Sequence, residues 1–369
     1  MTPPKVPGKR IDGLHAALLV TEAAERVLKI RLDTVCELLP VAQESFREDP
    51  KVVHRLRVAT RRCEAGLLVF RPSLKRKRYR KMRKHLRRIR RAAGTARVCD
   101  VHAALFADRL DRGVAGDRAA LEYMLKRTLD ERGEAQQEID DVAHRYRGMR
   151  LRKRAAKLLG SIREPDSDAI PASGQPTLLD LARTELTRLI DRVQEAGRAD
   201  LGVVDNLHEL RIRIKRLRYG MELFASCFDD RFGNDLYARV ESLQEHLGAL
   251  NDTSEIMAQI DRYAEELAAG SKAARNALEG KSKGAATKML AELDSLRTQY
   301  DRELSKTVNE FGSWFRDFPL SELVEALRGS LENGQVDDAQ RGPTANDMPA
   351  APRGDEAVSS SASPRDVAS

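Results

Sequence analysis

One phrase occurs twice in the sequence, and this repeat constrains the fold more than any other feature. VHRLRVATRR begins at Val53, and LHELRIRIKR begins at Leu207, 154 residues later. The same offset relates residues before and after the phrase, pairing Leu32 with Leu186, Leu39 with Val193, Gly66 with Gly220, Phe70 with Phe224 and Gly94 with Gly248. A register kept over this length predicts that the body of the protein is a duplicated unit.

The composition predicts that this unit is helical. Charged residues make up 33% of the chain and aromatic residues only 5%, while leucine, alanine, arginine and glutamate are abundant. Such a composition favours packed amphipathic helices over strands. We therefore predict an all-α fold.

Three features of the sequence bear on the compartment. No apolar run approaches the roughly 20 residues that span a bilayer. The start MTPPKVPGKR is not followed by an ordinary signal-peptide core. The four cysteines form no C-x-x-C pair, which favours buried reduced thiols over disulfides or a zinc site. We expect a cytoplasmic protein that does not associate with membranes.

Composition also suggests the domain boundaries. Residues 163–177 contain three prolines and a glycine, which break regular helix. Residues 331–369 hold seven acids and three arginines, so this end has a net charge of −4. Because the whole chain has a net charge of +8, the remaining residues carry +12. We predict a first helical repeat at 11–162, a second at 177–333, and a disordered acidic tail at 334–369.

Placed on a helix, the repeated phrase separates apolar from basic side chains. The apolar faces consist of Leu56, Cys63, Leu67 and Phe70 in the first copy and of Leu210, Leu217, Met221 and Phe224 in the second. Two basic stripes lie opposite: the first stripe is His54, Arg57 and Arg61, and the second stripe is His208, Arg211, Lys215 and Arg218.

Apolar residues also border the stripes, which indicates that each stripe faces another element. Leu68 lies beside the first stripe and Tyr219 beside the second. Basic groups that are partly removed from water need an anionic counterpart. A solvated polar face and an ion-pair network with Glu64 and Glu222 both remain open as structural explanations. A bound linear polyanion is the third, because arginine and lysine heads spaced about 5–6 Å apart along a helix match a row of phosphates.

Residues 71–91 are the most basic segment of the chain. Lysine or arginine occupies 13 of these 21 positions, and no acid occurs between Glu64 and Asp100. Arg83, Arg87 and Arg90 fall along one flank of an apolar stripe and are further candidate anion contacts. That stripe predicts an amphipathic helix docked on the core, and it consists of Tyr79, Met82, Leu86, Ile89 and Ala93.

These motifs carry a resemblance to a known family. The chain reads H-x-L-R-V-x-x-R-R and G-x-x-R-x-x-D-V in its first half. In its second half it reads H-x-L-R-I-x-x-K-R-L-R-Y and L-Q-x-x-L-G-x-L-N-D. Over residues 11–334 it resembles the two halves of the CHAD family, the conserved histidine α-helical domain. The resemblance implies two helical bundles related by a pseudo-twofold axis around a basic central cleft.

The resemblance also implies a function. CHAD proteins bind inorganic polyphosphate and can locate to polyphosphate granules in bacteria. We therefore expect polyphosphate as the partner, together with other granule proteins. Carried over by position, the expected anion contacts are His54, Arg57, Arg61, Arg62, His208, Arg211, Lys215, Arg216 and Arg218.

The sequence favours binding over catalysis. Its seven histidines lack metal-ligand spacing, and no Gly-rich phosphate loop or G-x-S-x-G elbow occurs. The E-x-E-x-K string of the triphosphate-tunnel domain found in many relatives is also missing, so we expect the stand-alone form, without a cofactor or metal. Asn251 and Asp252 could bind Mg²⁺ but read more simply as a helix cap and turn. A nucleic-acid-binding or chromatin-associated protein is the alternative, and a polyphosphate-processing enzyme is the third possibility. Against nucleic acid, only Tyr79 in the basic segment could stack on bases.

Overall fold

The computed structural model is an assembly of helices, and over its described residues it contains no strand. Two isolated β-bridges, Leu19 with Thr177 and Leu74 with Ile162, join segments that are distant in sequence. The structure describes residues 8–44, 51–113, 118–147, 149–163, 175–278 and 283–333. The predicted tail at 334–369, and most of the predicted break at 163–177, lie outside these residues.

The predicted all-α fold is confirmed, and the described part of the first half contains five α-helices. They are α1 (Val20–Glu44), α2 (Lys51–Val69), α3 (Arg76–Asp111), α4 (Arg118–Arg145) and α5 (Arg150–Leu159). The first copy of the repeated phrase lies on α2. The basic segment lies on α3 from Arg76 onward, and all five residues of its predicted apolar stripe are buried there. The predicted amphipathic helix is therefore confirmed.

The described part of the second half contains six α-helices. They are α6 (Leu178–Gly197), α7 (Val204–Phe224), α8 (Tyr237–Ala268), α9 (Lys272–Ala277), α10 (Lys283–Arg316) and α11 (Leu320–Glu332). A capping box starts α6, in which the Thr177 hydroxyl accepts from the Asp180 backbone and the Asp180 carboxylate accepts from the Thr177 backbone. The second copy of the phrase lies on α7. Apart from the short α9, helices α6, α7, α8, α10 and α11 correspond in order along the chain to α1, α2, α3, α4 and α5.

The paired glycines of the repeat occupy similar positions. A Cβ on Gly66 would lie 3.4 Å from Val27 of α1, and one on Gly220 would lie 2.9 Å from Leu189 of α6. Each glycine therefore lets the helix of its phrase approach the preceding helix closely. Gly94 and Gly248 differ from them, because no neighbouring atom lies within 4 Å of a Cβ placed on either. The duplication itself stays an inference from the sequence.

One prediction about local structure is wrong. Asn251 and Asp252 do not cap a helix but lie in the middle of α8, which runs unbroken from Tyr237 to Ala268. Buried leucines and isoleucines recur along this helix on both sides of Asn251. Their packing continues the helix through residues that locally favour a turn.

Two hydrophobic clusters hold the helices together, and both halves contribute to each. The larger cluster contains the apolar faces of both copies of the phrase. The smaller cluster joins Phe106 and Met124 from the first half to Tyr263, Leu293 and Tyr300 from the second. The described residues between 8 and 333 form one compact unit. The predicted boundaries between the repeats stay predictions.

The cysteines and helix hydropathy add two observations. All four cysteines lie among the described residues and none forms a disulfide; Cys63, Cys99 and Cys227 are buried, and Cys36 is half-buried. Burial raises the pKa of the Cys36 thiol to about 12. None of the described helices is long and apolar enough to cross a bilayer.

Candidate anion-binding site

Helices α2 and α7 pack against each other and carry the two stripes. Their contact includes an ion pair of 3.0 Å between Arg62 Nε of α2 and Glu222 Oε2 of α7. The apolar faces of both helices point into the core, as the periodicity predicted. The stripes therefore remain outside the core, on helices that touch.

Lys215 is surrounded by cations from both stripes. Its half-buried ammonium group interacts with Arg61 and Arg57 of α2 and with Arg211 and Arg218 of α7. The pKa of Lys215 falls from 10.5 to about 7. Burial of the side chain is the largest cause of this shift, and repulsion by the four guanidinium groups adds to it. The structure thus brings the two stripes within electrostatic range of each other.

The first stripe is also under positive potential. Burial, followed by repulsion from Arg61, lowers the pKa of Arg57 to about 10, although Glu255 of α8 acts in the opposite direction. Arg57 Nη1 donates to the Gly94 carbonyl oxygen at 3.3 Å. The pKa of His54 is lowered, first because its ring is partly removed from water and then by Arg97 and the two arginines of its own stripe. This side chain is therefore mainly neutral near pH 7 when no anion is bound.

A cavity of about 500 Å³ adjoins the first stripe. Six arginines and one glycine line it: Arg57, Arg61, Arg87, Arg88, Arg90, Arg91 and Gly94. Gly94 completes the lining, and a Cβ placed on it would meet no neighbouring atom within 4 Å. We name this space the arginine cavity.

Three of the predicted anion contacts are held in ion pairs closer than 3.5 Å. Arg90 lies 2.7 Å from Glu64, and Glu222 is close to both Arg62 and Arg218. Arg218 also donates to Gln244, Tyr237 and Glu241. The ion-pair explanation therefore applies to these arginines. Within the described ranges, no ion pair joins Lys215, Arg57 or Arg61 to a carboxylate.

The outer end of the second stripe meets α8. His208 Nδ1 lies 3.1 Å from Asn251 Oδ1, and Arg211 Nη2 lies 3.9 Å from Asp252 Oδ1. Burial raises the pKa of Asp252, while Arg211 and Lys215 partly offset this effect. A cavity of only about 40 Å³ adjoins this region. Space for a ligand is thus larger beside the first stripe.

Two predicted contacts lie apart from the cation cluster. Arg216 is exposed, and the cations that act on it are Arg213 of α7 and Arg192 and Arg188 of α6. Arg83 is exposed on α3 and, together with Arg87 and Arg90, interacts with Glu64.

Sequence reasoning missed Arg88, Arg91 and Arg97. Arg88 and Arg91 line the arginine cavity, and Arg97 acts on His54. Their spacing gave a signal, because Arg91 follows Arg87 by four residues and Arg97 follows Arg90 by seven, which places each pair on one side of a helix. Among the described residues, no group of three or more His, Cys, Asp or Glu could hold a metal ion.

Comparison with known proteins identifies the family. The sequence matches the family model of the CHAD domain over residues 37–261. No curated protein matches it significantly. The crystal structure of the CHAD domain from the plant Ricinus communis is similar, with a TM-score of 0.58 and 19% identity, over 90% of this chain and 96% of that chain. PptA from Streptomyces chartreusis is similar with a TM-score of 0.51 and 18% identity, over 79% of this chain and 98% of that chain.

At these sequence identities the similarity to the two structures shows the fold alone, and it supports the all-α arrangement described above. The family model carries the assignment, because it matches more than half of the chain. The resemblance inferred from the repeated motifs is thereby confirmed: the protein belongs to the CHAD domain family.

Proposed function

We propose that this protein binds inorganic polyphosphate in a cleft between α2 and α7, with α3 and α8 as its walls. The observation that carries the proposal is the position of Lys215 among four arginines from two helices. Like charges held together in a partly desolvated place are unfavourable unless an anion compensates them. A bound phosphate chain would supply that compensation.

The extended arrangement of the cationic groups favours a phosphate chain over a single small anion as the ligand. Cations continue from Lys215 through Arg61 and Arg57 to the arginine cavity. Arginine is suited to this ligand because its planar guanidinium group forms forked hydrogen bonds with phosphate oxygens. We propose Lys215, Arg57, Arg61, Arg87 and Arg211 as the principal contacts, with His54 and His208 beside them. Arg62, Arg90 and Arg218 position the cleft through their ion pairs with Glu64 and Glu222.

Membership of the CHAD family supports this assignment, because the family is linked to polyphosphate binding. We extend the proposal to a cytoplasmic protein that associates with polyphosphate granules and their proteins. We propose binding without catalysis. A nucleic-acid-binding protein is the competing assignment, and stacking-dependent single strands fit the cleft less well because its proposed contacts include no phenylalanine, tyrosine or tryptophan.

The proposal is tested by binding polyphosphate of graded chain length. Two double variants are compared, Arg57→Glu with Arg61→Glu and Arg211→Glu with Lys215→Glu. Each should weaken the binding of long polyphosphate far more than the binding of tripolyphosphate. A long chain bound at one subsite raises its own effective concentration at the other, and a short chain cannot gain this advantage. Arg213→Glu with Arg216→Glu is the matched control, with the same charge change on another side of α7. Circular dichroism establishes that each variant is folded.

Two outcomes would overturn the proposal. Loss of binding in the control equal to that in the two test variants would mean that net charge, not the cleft, determines affinity. Preference for single-stranded DNA over long polyphosphate at equal phosphate concentration would favour the nucleic-acid assignment.

A further inference from the structure

Helix α3 carries cations on a second side, which faces α5. His85 Nδ1 of α3 lies 2.7 Å from the Tyr146 hydroxyl oxygen, next to the start of α5. The Arg154 guanidinium of α5 lies 5.5 Å from the centre of the same tyrosine ring. These contacts hold the basic sides of α3 and α5 next to each other. We name the resulting surface the outer ridge, and it consists of Lys81, Lys84, Arg88 and Arg154.

The positive charge on the outer ridge is dense and has little local compensation. No acid occurs between Glu64 and Asp100, and none occurs on α5. The nearby acids of α1, Asp33 and Glu37, pair with Arg152 instead. Burial, followed by repulsion from Arg154, Arg88, Lys84 and Lys81, lowers the pKa of His85 to about 4. Four cations from two helices therefore converge around one histidine.

The outer ridge is continuous with the proposed cleft. Arg88 belongs to the ridge and also lines the arginine cavity. Arg87 and Arg91, which line that cavity too, are exposed. Along the axis of α3, Lys81 is only about 15 Å from Arg91, at 1.5 Å per residue. A linear anion that leaves the cleft through the cavity therefore meets the ridge without crossing an acidic surface on α3.

We propose that the outer ridge is a second polyphosphate site, over which a chain already bound in the cleft continues. This inference rests on the proposed function and adds a reason for a preference for long chains. Its chemistry fits a phosphate chain, because lysine and arginine heads are exposed while the two tyrosines of this region, Tyr79 and Tyr146, are buried and do not offer a surface for stacking bases. A chain that fills the cleft alone does not reach the ridge.

The test neutralises the ridge while leaving the cleft intact. Lys81→Gln, Lys84→Gln and Arg154→Gln form the ridge variant, and all three side chains are exposed, so the fold should survive. The matched control is Lys272→Gln, Lys288→Gln and Lys306→Gln, which removes the same charge from exposed positions on α9 and α10. Isothermal titration with tripolyphosphate and with long polyphosphate, at several salt concentrations, gives the affinities.

We expect the ridge variant to bind tripolyphosphate as the unmodified protein does. Its affinity for long polyphosphate should fall by up to about a hundredfold at 0.1 M salt. The negative slope of log K against log salt should become shallower by about 2, because each of the three lost contacts releases about 0.7 counterion in the unmodified protein. The control should change neither quantity by a comparable amount.

The outcomes separate this inference from the function on which it rests. If the unmodified protein binds no polyphosphate, the proposed function fails. If it binds long chains and the ridge variant matches the control, the cleft stands and the ridge site is refuted. A ridge variant that loses duplex DNA binding but keeps long polyphosphate would assign the surface to nucleic acid and equally refute the inference.

Discussion

The titration of Lys215 gives a quantitative prediction for the cleft. The charged groups that face this lysine are Arg57 and Arg61 of α2, Arg211 and Arg218 of α7, and Asp252 of α8. Burial and the four arginines lower its pKa to about 7 in the free protein. A bound phosphate chain adds negative charge beside it and should raise the pKa toward the ordinary value. Binding above neutral pH therefore takes up a proton.

The size of the effect follows from linkage. With a pKa of about 7 in the free protein, Lys215 is mostly protonated at pH 6 and mostly neutral at pH 8. If the bound protein keeps it protonated throughout, affinity should fall about tenfold from pH 6 to pH 8, and close to one proton should be taken up at pH 8. Isothermal titration in two buffers with different ionisation enthalpies measures this uptake directly.

Two substitutions separate this titration from charge alone. Lys215→Arg keeps the positive charge but does not titrate in this range, so affinity should stay high and lose most of its pH dependence. Lys215→Gln should bind more weakly at pH 6 and show the same flat profile. The reasoning is refuted if Lys215→Arg retains the full tenfold dependence, since another group must then take up the proton.

Three further predictions follow from the same site and fold. Between 50 and 200 mM salt, affinity for long polyphosphate should fall about 10³- to 10⁵-fold for roughly six to ten contacts, by analogy with DNA, and a flat response would contradict an electrostatic site. His54→Gln should reduce the rise in affinity below about pH 6.5, because a bound anion favours protonation of a histidine whose pKa is lowered in the free protein. His144→Gln is the control. If the two variants have the same pH profile of affinity, His54 is a packing residue. Gly220→Ala should cost about 1–3 kcal/mol of stability, because its Cβ would lie 2.9 Å from Leu189. Gly248→Ala, in open space, should instead be neutral or stabilising by about 0.5–1 kcal/mol, and denaturant unfolding that ranks the two the other way would contradict the packing argument.

Periodicity in the sequence was enough to predict the apolar faces of α2, α7 and α3. Residues that recur at helical spacing share a face, and burial of that face needs no knowledge of the partner. The turn expected at Asn251 was wrong for the opposite reason. Local preference favoured a turn there, while packing of α8 on its neighbours continued the helix.

Ion pairs within the site were only partly predictable. The sequence suggested Glu64 and Glu222 as partners but did not show which arginines they would bind. Arg62 and Glu222 are 160 residues apart, so their pairing depends on how α2 packs against α7. Lys215 and Arg216 are neighbours in sequence, yet a turn of about 100° separates them and only Lys215 interacts with the first stripe.

The central claim is that a phosphate chain occupies the space between the two stripes, and amine labelling of Lys215 tests it most directly. With a pKa of about 7, Lys215 should react faster than an ordinary lysine at neutral pH, and mass spectrometry can follow each lysine separately. Saturating long polyphosphate should strongly suppress labelling of Lys215 and leave the exposed Lys288 of α10 unchanged. Labelling of Lys215 at the same rate with and without bound polyphosphate would contradict the claim.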